Sequence, residues 1–464
     1  MKRRCRFSIE VQDVEASESK TFYAGTDLDF SLSERALFEC VPQFPSRRIL
    51  DLLRIASSVF FADRIVKRKR RGGPASWPRR MSLSIEVSEP DFWKDQSNYD
   101  QLVDVLSFVS GDSWSLNFDR HADEERTHLE WQRSLCPDIY PSNPRLCLYS
   151  GGLDSAAGLA MQLSKSNDDS VVPITVRHRS DLGEKVSSQI KSLHHHFGGE
   201  LHPVVVPFEM RSPAKLVRSE ETSQRSRAFL FVAVGAAVAE GFGASQLELY
   251  ESGVGAINAP LLAGMEGSQA TRSAHPHFLH QVSQLLSKVV GRDFEVVLPF
   301  FNSTKGEIVN SLCQSDLLQL AKATCSCPSY PVRVQKSGPQ QSCGVCAACL
   351  FRRVAMNSAG IEEEASTYQY DFLNSRTDIP TRKLRCLTAF LNQIDSLVSV
   401  ERGELPLCIE KHLRQTHVID RTKTVQPIID LYRRYRIEWI EMIRRAESTG
   451  CKWTEMIDLP PQAA

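Results

Sequence analysis

The stretch that decides the fold is RLCLYSGGLDS, residues 145–155. Residues 145–150 are a short apolar run that predicts a strand, and residues 154–164 have helical spacing. The two adjacent glycines between them allow a tight turn and a close approach of the backbone to a ligand. The N–H groups and dipole at the start of the helix, with the hydroxyls of Ser150 and Ser155, suit a pyrophosphate group. A plain glycine turn between a strand and a helix is the alternative.

Strands and helices alternate on both sides of this loop, over residues 145 to about 320. This alternation indicates βαβ units, and therefore an α/β fold with a parallel sheet and helices on both faces. The run VVPITV, residues 171–176, is typical of a strand that is covered on both sides. We expect strands at 145–150, 171–176, 202–208, 246–251 and 294–300, and helices at 154–164, 183–197, 226–240, 276–289 and 304–313.

Two further domains are expected around this α/β domain, which we place at 144–360. Residues 1–143 are expected to form an accessory α+β domain, with a helix at 48–66 and a strand at 81–87. Residues 361–464 have a helical pattern, with helices expected at 383–398, 405–416 and 426–448. The basic run KRKRR, residues 67–71, is expected to be a solvated loop; a patch for phosphate or nucleic acid is the alternative.

Charge and hydropathy exclude some classes of protein. Lys+Arg and Asp+Glu are both 56, so the net charge of zero gives no global attraction to nucleic acid or membrane. The longest apolar stretch, residues 228–239, is shorter than the roughly 20 residues that a membrane span needs. The basic N-terminus is not followed by the apolar core of a signal peptide. We therefore expect a cytoplasmic protein that does not bind membranes; binding to nucleic acid stays open.

Five of the 13 cysteines lie in one short segment, which predicts a metal site. A C-x-x-C turn places two thiolates on one metal ion, and nearby cysteines complete a tetrahedron around Zn²⁺. The expected ligands are Cys327, Cys343, Cys346 and Cys349, with Cys325 in reserve. Free thiols, a redox pair or an iron–sulfur cluster are the alternatives.

The loop SGGLDS resembles the SGGxDS signature of the PP-loop ATP pyrophosphatases. Together with the cysteine segment at 324–352, T-C-S-C followed by C-G-V-C-A-A-C-L-F-R, it resembles the QueC or 7-cyano-7-deazaguanine synthase family. The resemblance covers roughly residues 145–355. It implies a PP-loop fold that cleaves ATP, with Mg²⁺, to AMP and pyrophosphate, and a structural Zn²⁺.

The resemblance also implies which residues contact ATP. Residues 226–230 resemble the family's R-N-x-x-F-L piece, and residues 299–305 resemble its P-L-x-x-x-T-K piece. Arg227 and Lys305 thereby join Asp154 as catalytic candidates; a surface charge is the alternative for each. The expected ATP site consists of Ser150, Gly151, Gly152, Leu153, Asp154, Ser155, Thr175 and Val176.

The substrate region departs from the QueC pattern. The D-C-R-P piece that QueC uses around its substrate is absent, and residues 251–261 and 271–277 read E-x-G…N-x-P and T-R-x-x-H-P. These pieces, with the long N-terminal segment, look like the QueC-like proteins of bacterial anti-phage systems, the QatC group. Arg272 and His275 are further catalytic candidates and are expected to hold a carboxylate or phosphate at the mouth of the ATP site. Glu251, Asn258 and His277 are expected at the substrate; polar helix-entry residues are the alternative for both histidines.

The resemblance therefore implies an enzyme that adenylates a carboxylate of a 7-deazaguanine-type substrate in an anti-phage system. The product would be an amide or a nitrile. In a second reading, the same adenylation conjugates the deazapurine group to an amine of a partner protein that is encoded nearby. A tRNA-modifying PP-loop enzyme and a binding protein without turnover are further alternatives.

Overall fold

The computed structural model describes most of the chain. The described residues are 7–12, 19–23, 29–32, 34–68, 78–120, 140–165, 170–177, 180–198, 201–211, 221, 223–261, 272–328, 330, 332, 340–374, 379–418 and 425–456. They form two compact units, and each unit is built from several separate chain segments. The first contains Met1–Ser150, Asn167–Leu249 and Gly267–Pro299; the second contains Gly151–Ser166, Tyr250–Glu266 and Phe300–Ala464.

The secondary structure follows an order close to the predicted one. The strands are β1 (Phe7–Gln12), β2 (Ser19–Tyr23), β3 (Asp29–Leu32), β4 (Arg80–Val87), β5 (Ser113–Arg120), β6 (Arg145–Leu148), β7 (Val171–Arg177), β8 (Val204–Arg211), β9 (Gln246–Leu249) and β10 (Glu295–Val297). The helices are α1 (Glu34–Glu39), α2 (Arg47–Ile65), α3 (Pro90–Lys94), α4 (Gln96–Ser110), α5 (Leu153–Lys165), α6 (Ser180–Phe197), α7 (Arg227–Gly241), α8 (Gly253–Ile257), α9 (Pro276–Val290), α10 (Lys305–Gln314), α11 (Leu318–Ala323), α12 (Ala347–Ser358), α13 (Arg385–Ser396), α14 (Leu407–Gln415) and α15 (Val425–Ser448).

The first unit is built on a six-stranded sheet in the order β10-β9-β6-β7-β8-β3. The five strands from β10 to β8 are parallel, which confirms the predicted parallel sheet. The sixth strand, β3, pairs with β8 in the antiparallel direction. The N-terminal segment thus supplies the edge strand of the central sheet, which the sequence analysis did not predict.

Burial in this sheet matches the apolar pattern of the sequence. All residues of β7 except the last are buried, as expected for a strand that is covered on both sides. Helix α7 packs on β6, β7 and β9. A side chain at Gly235 of α7 would lie 2.6 Å from Leu247 and 2.9 Å from Leu148, so this glycine allows the close approach of helix and sheet.

The first unit also contains a four-stranded sheet in the order β2-β1-β4-β5. Strand β4 alternates between buried and more exposed positions, as the sequence predicted for residues 81–87. Strand β5 runs parallel to β4, and helix α4 packs against β5. The N-terminal segment thus contains a mixed sheet with helices, and a separate accessory domain at 1–143 stays a prediction.

A buried network of charges lies at the end of α2. Arg68 donates to both carboxylate oxygens of Asp112 at 2.7 Å, and Arg79 donates to the same carboxylate. Arg79 also pairs with Asp63, which accepts from the Ser226 amide (3.0 Å) and hydroxyl (2.8 Å) at the start of α7. The expectation of a solvated basic loop is therefore wrong for Arg68, which is buried against a carboxylate; residues 69–71 lie outside the described residues.

The second unit is helical. Helix α10 packs against α5 and α12, and α15 packs against α12. The buried side chains of the C-terminal helices include Trp439, which stacks on Phe390 at 5.2 Å between ring centroids. The three helices predicted after residue 361 are all present, as α13, α14 and α15.

Among the described residues, no helix combines the length and the apolar character that crossing a membrane requires.

Candidate functional site

The glycine loop joins β6 to α5. Strand β6 ends at Leu148, and α5 begins at Leu153. Gly151 has a φ of 71°, which favours glycine because other residues are strained there. The Gly152 carbonyl accepts from the Ala156 amide and from the Ser155 hydroxyl, both at 3.0 Å. The loop thus enters the helix in a fixed conformation, and helix geometry points the first N–H groups of α5 toward it.

Strand β7 fixes the residue that precedes the loop. The Thr175 hydroxyl donates to the Tyr149 carbonyl at 2.8 Å, and the Tyr149 amide donates to the Ile174 carbonyl at 2.8 Å. Val176 is buried in the sheet. Thr175 therefore anchors the chain directly before Ser150. Contacts of Thr175 and Val176 with ATP stay predictions.

Three charged side chains of the second unit meet at the start of α5. Lys305 Nζ donates to Asp154 Oδ2 and lies 3.8 Å from Glu251 Oε1. The side chains of Lys305 and Asp154 are each 14% exposed and that of Glu251 is 28% exposed, so the cluster lies mostly out of water. Asp154 Oδ1 is buried and accepts no hydrogen bond within the described part of the chain. We call these three residues the charged cluster.

Burial and mutual attraction shift the pKa values in the charged cluster. Burial and the negative charge of Asp154 raise the pKa of Glu251 to about 7, although Lys305 opposes the shift. Burial alone would lower the pKa of Lys305, but the two carboxylates outweigh it and raise that pKa. At neutral pH the lysine is therefore charged, and Glu251 is close to the midpoint of its titration.

Local sequence explains how Lys305 and Glu251 reach this place. Lys305 is the first residue of α10, and Thr304 and Glu307 form a capping box around it. Glu251 follows the end of β9 by two residues. A side chain at Gly255 would clash with the Glu251 carboxylate, so the glycine leaves the space that this carboxylate occupies.

The predicted residues after position 271 gather around one aromatic ring of the first unit. The Arg272 guanidinium lies 4.6 Å from the Phe108 ring and donates to the Phe108 carbonyl at 2.9 Å. His275 and His277 contact the same ring. His275 is buried, and its Nδ1 accepts from the His277 amide as the N-cap of α9. The structure thus shows a helix-entry role for His275, and contacts of Arg272, His275 and His277 with ATP or substrate stay predictions.

Two other candidates lie at helix ends. Arg227 is the first residue of α7; it donates to the Gln224 side chain at 3.0 Å. Asn258 is the C-cap of α8, with a φ of 42°, and its amide donates to the Val254 carbonyl. The contacts of Arg227 with phosphate and of Asn258 with substrate also stay predictions.

The structure brings the four expected metal ligands together. The sulfur atoms of Cys327, Cys343, Cys346 and Cys349 all lie within 4.8 Å of one another. Cys343 Sγ is 3.8 Å from Cys349 Sγ, and the Cys343 amide donates to Cys327 Sγ at 3.4 Å. Hydrogen bonds from the three other thiols lower the pKa of Cys343. Four clustered thiols fit the tetrahedral coordination of Zn²⁺, and Cys325 is not one of the clustered sulfurs.

Neighbouring residues fix the cysteine segments. Gly344 has a φ of 79°, and a side chain there would clash with the Tyr370 carbonyl. Arg352 is buried; it donates to the Thr324 hydroxyl at 2.6 Å and pairs with Glu363 at 2.8 Å. Arg352 thus ties α12, the helix that contains Cys349, to Thr324, the residue directly before Cys325. Arg352 ends the cysteine motif of the sequence, but no pattern in the sequence pointed to Glu363 as its partner.

Comparisons with known proteins agree with these features. The family model described as "Queuosine biosynthesis protein QueC" matches residues 266–360, which contain Lys305 and the four clustered cysteines. A 7-cyano-7-deazaguanine synthase of Parasynechococcus marenigrum (strain WH8102) is 27% identical over 234 residues, which cover 46% of this chain and 93% of that protein. The matches support a QueC-like relationship for this part of the chain.

Proposed function

We propose that this protein is an ATP-dependent adenylating enzyme that activates a carboxylate of a 7-deazaguanine-type substrate and releases pyrophosphate. The observation that carries the proposal is the charged cluster, in which Lys305 joins Asp154 at the first turn of α5. The QueC-like relationship and the name of the cyanobacterial relative supply the substrate class. Within this proposal, the sheet and the glycine loop are a PP-loop fold.

The loop and the cluster have complementary tasks in this reaction. The loop at Gly151 and Gly152 and the start of α5 would receive the pyrophosphate part of ATP, because helix N-termini favour anions. Lys305 would neutralise the negative charge that grows on the leaving pyrophosphate. Ser155, at the first turn of α5, would hold the loop in this conformation through the hydrogen bond from its hydroxyl to the Gly152 carbonyl.

Two metal ions complete the proposal. The carboxylate oxygens of Asp154 and Glu251 are the ligands that Mg²⁺ prefers, and the buried Asp154 Oδ1 offers an acceptor for a cation. When bound, Mg²⁺ supplies positive charge to the phosphates. The cysteine cluster would hold Zn²⁺ as a closed structural site, since four protein ligands leave no open position for chemistry.

The reaction has a simple balance of bonds. A carboxylate oxygen of the substrate attacks the α-phosphorus of ATP and forms an acyl–AMP bond. The bond between the α-phosphorus and the bridging oxygen breaks, and pyrophosphate leaves with the electron pair. The acyl group can then pass to an amine, with AMP as the leaving group. The chain must exclude water from this intermediate, because water would hydrolyse it.

A second candidate function keeps the adenylation and changes the acceptor. The matched relative covers only 46% of this chain, so large segments are available for another task, such as docking a protein whose amine takes the deazapurine group. We propose that either reaction belongs to an anti-phage system; the QatC-like pieces at residues 251–261 and 271–277 support this. Sulfur transfer to tRNA has less support, because the net charge of zero offers no general attraction to nucleic acid.

The test is pyrophosphate release from ATP with Mg²⁺ and 7-carboxy-7-deazaguanine, with and without the proteins encoded beside this one. Lys305→Ala should lower kcat by about 100-fold or more, as for the loss of one preorganised charge contact. Lys322→Ala is the matched control, because Lys322 is exposed on α11.

The partner proteins separate the two candidate functions. Product without any partner supports the small-molecule ligase, and a gain of mass on a partner supports conjugation. If the wild type releases no pyrophosphate under either condition, or if Lys305→Ala is as active as the wild type, the proposal fails.

A further inference from the structure

We infer that the C-terminal helix α15 positions the charged cluster, and that Glu438 is the positioning residue through which it holds Lys305. The inference rests on the proposed function for its effect on turnover, but not for the geometry that it predicts. Helix α15, Val425–Ser448, lies outside the segment that matches the QueC family model, which ends at residue 360. The cluster would thus depend on a part of the chain outside that match.

The first contact fixes the start of α10. The Thr304 hydroxyl donates to the Glu438 carboxyl group, and both side chains are buried. Thr304 is the N-cap of α10, and Lys305 is the next residue. The N-cap fixes the backbone at the start of a helix, and Lys305 directly follows it. Glu438 therefore influences the position of the Lys305 side chain through Thr304.

A second residue of α15 holds the same segment. Arg434, one turn before Glu438, donates to the Asn302 carbonyl at 2.6 Å and pairs with Glu307 at 2.7 Å. A side chain at Gly306 would clash with the Glu438 carboxylate, so α15 lies directly against the first turn of α10. The segment from Asn302 to Glu307 is therefore held by α15 on both sides of Lys305.

The same helix also packs against the segment that follows Glu251. Helix α8 begins two residues after Glu251 and contacts α15. A side chain at Gly253 would lie 2.6 Å from Leu431 of α15 and would clash with the Phe301 carbonyl. One helix thus contacts both chain segments that bring Lys305 and Glu251 to Asp154.

The protonation state of Glu438 suggests a conservative variant that keeps its hydrogen bond. Burial, with the nearby Glu307 and Glu441, raises the pKa of Glu438 to about 8, against the hydrogen bonds from Thr304 and Gly306. At neutral pH the side chain is therefore mainly the neutral acid. Glutamine has the same shape and can accept the same hydrogen bond from Thr304, so Glu438→Gln should keep the positioning that Glu438→Ala removes.

The experiment measures the pKa of Lys305 without any substrate. Wild type, Glu438→Ala and Glu438→Gln are labelled with an amine reagent over a range of pH, and the modification of Lys305 is followed by mass spectrometry. In Glu438→Ala the lysine moves away from its carboxylates, so its pKa falls, and labelling below that pKa rises about tenfold for each pKa unit lost. Glu438→Gln should titrate like the wild type, as should the control Glu447→Ala, whose side chain is exposed on the same helix.

Turnover gives the second readout. In Glu438→Ala, kcat for pyrophosphate release should fall by about tenfold or more while the KM for ATP changes less, because Lys305 acts on charge that develops in the transition state. Glu438→Gln should restore kcat. A purely structural role would lower the yield of folded protein without this split between kcat and KM.

The outcomes distinguish the proposed function from the positioning role of Glu438. If the wild type releases no pyrophosphate but Lys305 labelling responds to Glu438→Ala, the proposed function fails and the positioning stands. If the wild type turns over and Glu438→Ala changes neither labelling nor kcat, the positioning is wrong. If Glu438→Ala does not fold, Arg434→Ala replaces it, because Arg434 is partly exposed and holds the same segment. Arg434→Ala should lower the pKa of Lys305 as well. An unchanged Lys305 titration in this variant overturns the inference.

Discussion

Replacing Glu251 with glutamine should change how the stability of the protein depends on pH. Burial and the charge of Asp154 raise the pKa of Glu251 to about 7 from an ordinary 4.5. Glutamine keeps the shape of the side chain and removes the titration. The comparison of Glu251→Gln with the wild type therefore isolates the free energy of ionising this one carboxyl group.

The sign and size follow from the two pKa values. Below about pH 4.5 the glutamate is neutral in both the folded and the unfolded chain, so the variant and the wild type should have similar stability. As the pH rises to about 7, Glu251 loses its proton readily in the unfolded chain. In the folded chain the same ionisation costs free energy, because the carboxyl group is buried next to Asp154. At about 1.36 kcal/mol per pKa unit the penalty is about 3 kcal/mol, and the 28% exposure of the Glu251 side chain reduces it to about 2 kcal/mol.

The assay is urea unfolding of both proteins at about pH 5 and about pH 8.5, followed by tryptophan fluorescence. The variant should gain stability relative to the wild type by about 2 kcal/mol between the two pH values. Glu447→Gln, at an exposed position of α15, should differ from the wild type in unfolding free energy by the same amount at both pH values. A Glu251→Gln difference that does not change with pH, or that changes in the opposite direction, would refute the buried-cluster reasoning.

Three other changes test the rest of the structure. Cys349→Ser should lower bound zinc, measured by elemental mass spectrometry, from about one ion per chain to nearly none, while Cys325→Ser keeps it; equal loss in both would contradict the ligand assignment. Asp63→Asn should destabilise the first unit by about 3–5 kcal/mol in urea unfolding, because it leaves Arg79 buried with one carboxylate fewer; a change within error would mean that the network contributes little. Gly344→Ala should weaken zinc retention in a chelator competition, because its φ is 79° and its side chain would clash with a backbone carbonyl; unchanged retention argues against a tight turn at this position.

The sequence was most informative where one local pattern has one physical solution. The glycine pair between an apolar strand and a helix predicted the connection from β6 to α5, and the run at 171–176 predicted a fully buried strand. The spacing of the cysteines predicted which sulfur atoms would meet. Each of these features is set by residues that are close together in the sequence.

Contacts between distant segments could not be predicted in the same way. Strand β3 has no long apolar run, so nothing in its four residues indicated that it would pair with β8. Arg68 lay in a run that is usually solvated, yet it is buried and paired with the carboxylate of Asp112. The contact between Glu438 and Thr304 joins residues 134 positions apart in the chain, and a single sequence holds no signal for such a pair.

The most direct test of the central claim follows the oxygen atoms of the substrate. The protein is incubated with ATP, Mg²⁺ and 7-carboxy-7-deazaguanine whose carboxylate carries ¹⁸O, together with the amine donor, and AMP is analysed by mass spectrometry. Adenylation predicts one ¹⁸O in AMP, because the carboxylate oxygen that attacked the α-phosphorus leaves with it. Label in inorganic phosphate, or AMP without ¹⁸O, would contradict adenylation of the carboxylate.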